Sequence, residues 1–267
     1  MTIFAPEARP LSLDILVIPG ANLLSLASTV DPLRAANRIA GRALYAWRLA
    51  TPDGAPAALG AGLPVPASGR FDPGAAHDAL AVLASFDWRD QATPALMGAL
   101  RVAARRRRAV GGIEAGSWLL ARAGLLDGRR ATTHWEDFEA FALAHPEVAL
   151  VPDRAVVDGP RFTAGAAAPA LDLMLALIRA RQGPAFALDV ASVFGYDETR
   201  PPEAPQTAVA LGRVAARSPR LAAAIRAMAE SLDAPPPMPA IARRAGASNR
   251  ALQAEFRRVL GTTPQAY

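Results

Sequence analysis

Ala109-Val110-Gly111-Gly112-Ile113-Glu114-Ala115-Gly116-Ser117-Trp118 is the stretch that decides the fold. An apolar, strand-like run reaches a glycine-flanked corner and leaves it as a helical run from Trp118 to Leu126. Such a strand-to-helix turn pushes its corner residue out over the sheet edge, where an enzyme of this architecture holds its nucleophile. The corner residue here is Glu114, expected to be exposed, and a carboxylate has no obvious acyl-transfer role. The 267-residue chain contains no cysteine, so no thiol can act in its place. A carboxylate on a glycine-flanked turn is poor core filler, which points to a site kept for binding and emptied of catalysis. Serine chemistry through Ser117 stays open as the alternative, although this residue lies past the corner.

Around that turn, short apolar runs alternate with helical patterns, the mark of βα units and a mainly parallel sheet. Leu13–Pro19 reads as a buried strand and leads into a helical stretch through Leu33 and Ile39. Tyr45–Ala50 reads as a strand ended by the turn Thr51-Pro52-Asp53-Gly54. Ala79–Leu83 is another strand, and Pro94–Arg107 has helical spacing at Leu96, Leu100 and Ala103. The run Arg105-Arg106-Arg107-Arg108 closes that helix, where cations suit the negative end of the dipole. It reads either as a solvated helix end or as a nucleic-acid patch. Gly128–Thr133 leads into a helical pattern that begins at His134-Trp135. Val156–Thr163 predicts a hairpin turning at Asp158-Gly159. Ala170–Arg181 predicts a helix stopped by Gly183-Pro184, and Ala185–Phe194 a further one. These elements place an α/β domain at residues 10–195. The proline-rich stretch at 196–206 reads as a linker, and residues 207–267 as a helical segment.

Charge separates the two parts. Residues 1–206 hold 20 arginines against 21 acidic residues, whereas residues 207–267 hold nine arginines against three acids. The net charge of +5 therefore sits in the last quarter, as expected of a segment that meets phosphates or of a solvated basic surface. There, Thr207–Leu232 predicts a long helix broken near Ser218-Pro219. A short helix at Ile241–Ala245, a turn at Gly246 and a second helix, Asn249–Leu260, capped by Ser248 and ended by Gly261, match the helix-turn-helix pattern. Leu252, Phe256, Val259 and Leu260 fall on one helix face, which packs inward. The other face presents Arg250, Gln253 and Arg257. Arginine can read guanine and glutamine can read adenine, so Arg250 and Gln253 suit a major groove and Arg257 a phosphate. Ser248 and Asn249 at the helix start complete the candidate DNA-contacting set; an ordinary solvated helix face is the alternative.

In the α/β part, Glu114 and His134 each follow an inferred strand, and parallel strands bring such ends together at the carboxyl edge, where ligands bind. A carboxylate there can pair with a cationic ligand, and Trp118 or Trp135 can add a cation–π face. With Asn22 these residues form the candidate effector set. The alternative makes both tryptophans core and His134 a helix-start residue.

The segments GGIEAGSWLLARAGLLDGRRATTHWEDFEAF, FTAGAAAPALDLMLALI and ALDVASVFGYD resemble AraC-type regulators whose sensor is a class I glutamine amidotransferase-like (PfpI-like) domain. IARRAGASNRALQAEFRRVLGTTPQAY is similar to the first helix-turn-helix of the AraC/XylS family. The resemblance implies a flavodoxin-like α/β sensor followed by an all-α DNA-binding segment, and a homodimer acting on double-stranded DNA. Many elbows of that family carry cysteine. A subgroup resembling regulators of carnitine, glycine betaine and arginine catabolism carries an acidic residue, Asp where this chain has Glu114. Ala164 and Ala166 to Ala168 depart from a more Cys/Gly-rich pattern. The family's DNA-binding region holds two helix-turn-helix units, and this chain stops at Tyr267 where the joining helix would begin, so a truncated segment with weak DNA binding is expected. The resemblance thus implies a non-catalytic regulator of a small cationic or zwitterionic effector, without metal or cofactor. A superfamily hydrolase or amidotransferase, or a ligand-binding module without DNA activity, is the alternative. No signal-peptide pattern or apolar run of membrane length occurs, so a cytoplasmic protein is expected.

Overall fold

A computed structural model describes residues 3–85, 87–196, 218–229, 236–260 and 263–264. The chain divides into two compact units, Met1–Ala204 and Pro205–Tyr267.

The first unit is a seven-stranded sheet with helices on both faces. Its strands and side elements run in the order β1 (Leu11–Val17), α1 (Leu23–Ala40), β2 (Tyr45–Thr51), β3 (Ala57–Ala58), β4 (Pro64–Val65), β5 (Gly69–Arg70) and β6 (Ala79–Ala84). There follow α2 (Trp88–Gln91), α3 (Pro94–Arg106), β7 (Ala109–Glu114), α4 (Gly116–Arg122), β8 (Arg130–Ala131) and α5 (Phe138–Ala144). The unit closes with β9 (Ala149–Leu150), β10 (Ala155–Asp158), β11 (Arg161–Ala164), α6 (Ala167–Gln182) and α7 (Pro184–Ser192). The sheet order is β10-β11-β7-β6-β1-β2-β5, parallel throughout except for the β10–β11 hairpin, which turns at Gly159. β3–β4 and β8–β9 form separate two-stranded pairs.

Side chains alternate across β1, so one strand feeds two cores. Leu11, Leu13, Ile15 and Val17 pack with Leu26 and Leu33 of α1, Leu173 and Leu177 of α6 and Val190 of α7. Leu16 packs on the opposite face with Trp88 of α2, Leu96 and Leu100 of α3, Leu119 of α4 and Phe141 of α5. Helices that cover both faces make the strands nearly all apolar, as in β6, where all six residues are buried.

The arginine run departs from a solvated helix end. α3 stops at Arg106, and Arg107 turns extended with its side chain buried. Its Nη2 lies 2.7 Å from Asp14 Oδ2 within the sheet, and Arg48 Nε lies 2.9 Å from Asp14 Oδ1. Arg108 bonds Glu7 at 2.8 Å. Only Arg105 and Arg106 of the run are exposed.

The second unit packs the helices Pro219–Ala229, Met238–Arg244 and Asn249–Leu260 around Leu221, Ala222, Ile225, Ile241, Leu252 and Phe256. Gly246, with φ +63°, makes the turn between the last two, a left-handed conformation that suits glycine. The Ser248 hydroxyl accepts from Ala251 N at 3.2 Å and caps the final helix. Of the long helix expected over 207–232, Pro219–Ala229 is helical and starts at a Ser218 cap, whose hydroxyl accepts from Leu221 N. Residues 207–217 and 230–232, Gly261 and the linker positions 197–206 lie outside the described residues. Among the described residues no helix is long and apolar enough to cross a membrane.

Candidate effector site and DNA-reading helix

Three parallel strands, β1, β6 and β7, end side by side, and the chain leaving each one builds the site. At the end of β7, Glu114 adopts φ +53°, the one positive φ outside glycine among the described residues. The left-handed corner costs about 1–3 kcal/mol for a residue with a side chain, so the neighbouring packing must impose it. That packing is very close. A Cβ on Gly116 would stand 2.0 Å from Val82 O, and one on Gly112 would stand 2.4 Å from Ser117 N. α4 therefore folds back directly onto β6 and β7, and the corner is a consequence.

Glu114 is 6% exposed, a correction to the exposed corner expected from sequence. Instead of projecting into solvent, its carboxylate turns under α1 and takes a hydrogen bond from the Ser25 hydroxyl. Burial pushes the carboxyl above its ordinary range, while Ser25, His134 and Ser85 pull it back. Ser25 sits in the first turn of α1, and Ser85 directly follows β6. Sequence reasoning missed both serines. The carboxyl-edge rule that found Glu114 points to Ser85, which directly follows a parallel strand, but not to Ser25, which lies within α1, eight residues past the end of β1 at Val17.

His134 is placed near this carboxylate by a buried hydroxyl relay. The Ser117 hydroxyl lies 2.8 Å from both the Glu114 carbonyl oxygen and Thr133 Oγ1. Thr132 N donates to Thr163 Oγ1 at 2.9 Å, tying the same loop to β11. His134 itself starts a short 3-10 turn, accepting from Glu136 N at 3.4 Å. Ser117 is fully buried and its hydroxyl is engaged in holding the turn.

The other candidates separate. Trp118 is core, a correction to its candidate ligand role: it stacks on Trp88 at 5.0 Å, meets Phe141 at 4.9 Å and donates Nε1 to Asp137. Trp135 is 45% exposed, 5.8 Å from the His134 ring. Asn22 is exposed and caps α1, its Oδ1 accepting from Leu24 N at 3.0 Å.

In the second unit Leu252 and Phe256 are fully buried, while Arg250 and Arg257 are exposed and Gln253 is half-buried. Asn249 is exposed at the helix start, and Ser248 is the cap. Leu252 and Phe256 face inward as the apolar spacing requires and Val259 is half-buried, while the Leu260 side chain lies outside the described residues. Arg243 and Arg244, at the end of the preceding helix, add exposed positive charge.

The DJ-1/PfpI family model matches residues 72–180, which span β6, the elbow and most of α6. The HTH-type transcriptional regulator CdhR of Pseudomonas aeruginosa is 35% identical over 252 residues, 94% of this chain and 75% of the relative. The HTH-type transcriptional regulator GlxA of Rhizobium meliloti is 36% identical over 253 residues, covering 94% of this chain and 78% of the relative. The crystal structure of an AraC family transcriptional regulator from Pseudomonas putida superposes with TM-score 0.64 at 25% identity, over 69% of this chain and all of the other. The chain belongs to the AraC-type transcriptional regulators that carry a DJ-1/PfpI domain. As a member of that family, this regulator pairs a flavodoxin-like unit with a helix-turn-helix that meets DNA.

Proposed function

We propose that this regulator responds to a small cationic or zwitterionic nitrogen metabolite, of the carnitine, betaine or arginine kind, held at Glu114. The observation that carries this is the buried carboxylate on the left-handed corner where three strand ends meet. A buried charge is costly unless it is paired, and the strongest available partner for Glu114 is a positive charge brought by a ligand. The exposed face of Trp135 beside His134 suits a quaternary ammonium or guanidinium. Asn22, exposed at the start of α1, stays in the candidate set, whereas Trp118 fills the core.

The unit acts without turnover: cysteine is absent and Ser117 is buried within its own turn. The relatives named as regulators support that reading. A homodimer would present two copies of the reading helix, in which Arg250 and Gln253 meet base edges and Arg257 a phosphate.

Titration calorimetry of carnitine, glycine betaine, dimethylglycine and arginine against wild type and Glu114→Gln tests the assignment. One of these ligands is expected to bind the wild type and to weaken about tenfold or more in the variant, through loss of the charge pair. Wild-type binding should strengthen as pH rises through the raised range of Glu114, because the ligand selects the ionised carboxylate. Equal affinity in both proteins, or preference for an anionic ligand, would remove Glu114 from the role.

A further inference from the structure

Apolar burial seats the reading helix. Leu252 and Phe256 bury against Leu221, Ile225 and Ile241, and such packing is non-directional. A directional contact stands on the flank of that face. The Ser218 hydroxyl donates to Glu255 Oε1 at 2.7 Å while accepting from Leu221 N at 3.1 Å, so one buried group both starts the Pro219–Ala229 helix and grips the reading helix. Arg258 Nη2 holds the same Glu255 oxygen at 3.2 Å from the next turn. At about 100° per residue, Glu255 and Gln253 are roughly 160° apart around the helix, with Leu252 and Phe256 between them. A bond at Glu255 therefore fixes how far Gln253, Arg250 and Arg257 swing toward a groove.

We propose that Glu255, through Ser218, is a positioning residue for DNA recognition: it sets the roll of the reading helix and thereby the sequence discrimination of Arg250 and Gln253. The proposal rests on the reading of Asn249–Leu260 as the base-contacting helix.

The test uses the full chain and a duplex selected from a random DNA pool by the wild type, with a scrambled duplex of equal length as reference. The readout is the ratio of affinities for the two duplexes, measured over a range of salt concentrations. Glu255→Ala should lower the ratio about tenfold, the worth of one charge-assisted hydrogen bond, with an unchanged salt slope because no phosphate contact is lost. Glu255→Gln keeps an acceptor and should retain most of the ratio. Ser218→Ala combined with Glu255→Ala should be no worse than the more severe single variant, since both remove one interaction. If Arg250→Ala lowers the ratio but Glu255→Ala does not, the positioning role falls alone. If Arg250→Ala leaves the ratio unchanged, the assignment of the reading helix fails and the proposal with it. Additive losses in the double variant, or a Glu255→Gln as impaired as Glu255→Ala, would also overturn it. Should Ser218→Ala fail to fold, the contrast between Glu255→Ala and Glu255→Gln still decides.

Discussion

At the scale of the residue, Glu114 is where the fold works against itself. It combines a left-handed backbone, unusual for a residue with a side chain, with a buried carboxyl whose ionisation burial opposes. The sign of the consequence follows from linkage. Between the ordinary carboxylate range and the raised one, the folded protein holds the proton more tightly than the unfolded chain, so stability falls as pH rises through that window. Below the ordinary range both states are protonated and the difference vanishes. Glu114→Gln keeps the size and the acceptor for Ser25 but removes the titration. Thermal melts from about pH 4 to about pH 8 should therefore show the variant gaining on the wild type as pH rises, by a few degrees at the upper end. A variant that melts lower by the same margin at every pH would mean that the carboxylate serves packing, not binding. Destabilising groups concentrate at functional sites, and a gain in stability with loss of ligand binding is the trade expected there.

At the scale of the element, regular structure was legible where side-chain periodicity repeats. β1, β6, α3, the β10–β11 hairpin and α6 all show their spacing in the letters, and the glycine-flanked corner announces the β7–α4 turn. The two-residue strands β3, β4, β5, β8 and β9 left no such trace, since their pairing is nonlocal and too short for a period. The arginine run shows a second limit. Arg105, Arg106 and Arg107 are identical letters, yet α3 ends between the second and third, and the extended backbone at Arg107 drives that guanidinium inward to Asp14. Sequence could not show which arginine lies past the helix end. Asp14→Ala leaves Arg107 buried without its carboxylate, so chemical denaturation should show a loss of about 3–5 kcal/mol. Arg105→Ala, on the exposed face, should stay within about 0.5 kcal/mol. An Asp14→Ala loss no larger than that of Arg105→Ala would show that Arg107 finds other partners or water.

At the scale of the whole molecule, two units of different chemistry share one chain: a nearly neutral α/β unit and a basic helical one. Both were legible from alternation, charge and the turn at Gly246. The membership of the candidate site was legible only in part. Glu114 and His134 follow from the strand-end rule, which also reaches Ser85, whereas Ser25 is an isolated serine within α1 with no pattern of its own. Trp118 reads the same whether it lines a pocket or fills a core; here it fills one. Effector control requires that ligand at Glu114 change how the helical unit binds DNA, and a ligand can shift that equilibrium only by its differential affinity for the two states. The most direct test is DNA affinity of the full chain for its selected duplex, titrated with the ligand found by calorimetry, in wild type and Glu114→Gln. The account predicts a ligand-dependent change of about fivefold or more in the wild type and none in the variant at the same ligand concentration. An equal response in both proteins, or no response in the wild type at saturating ligand, would contradict it.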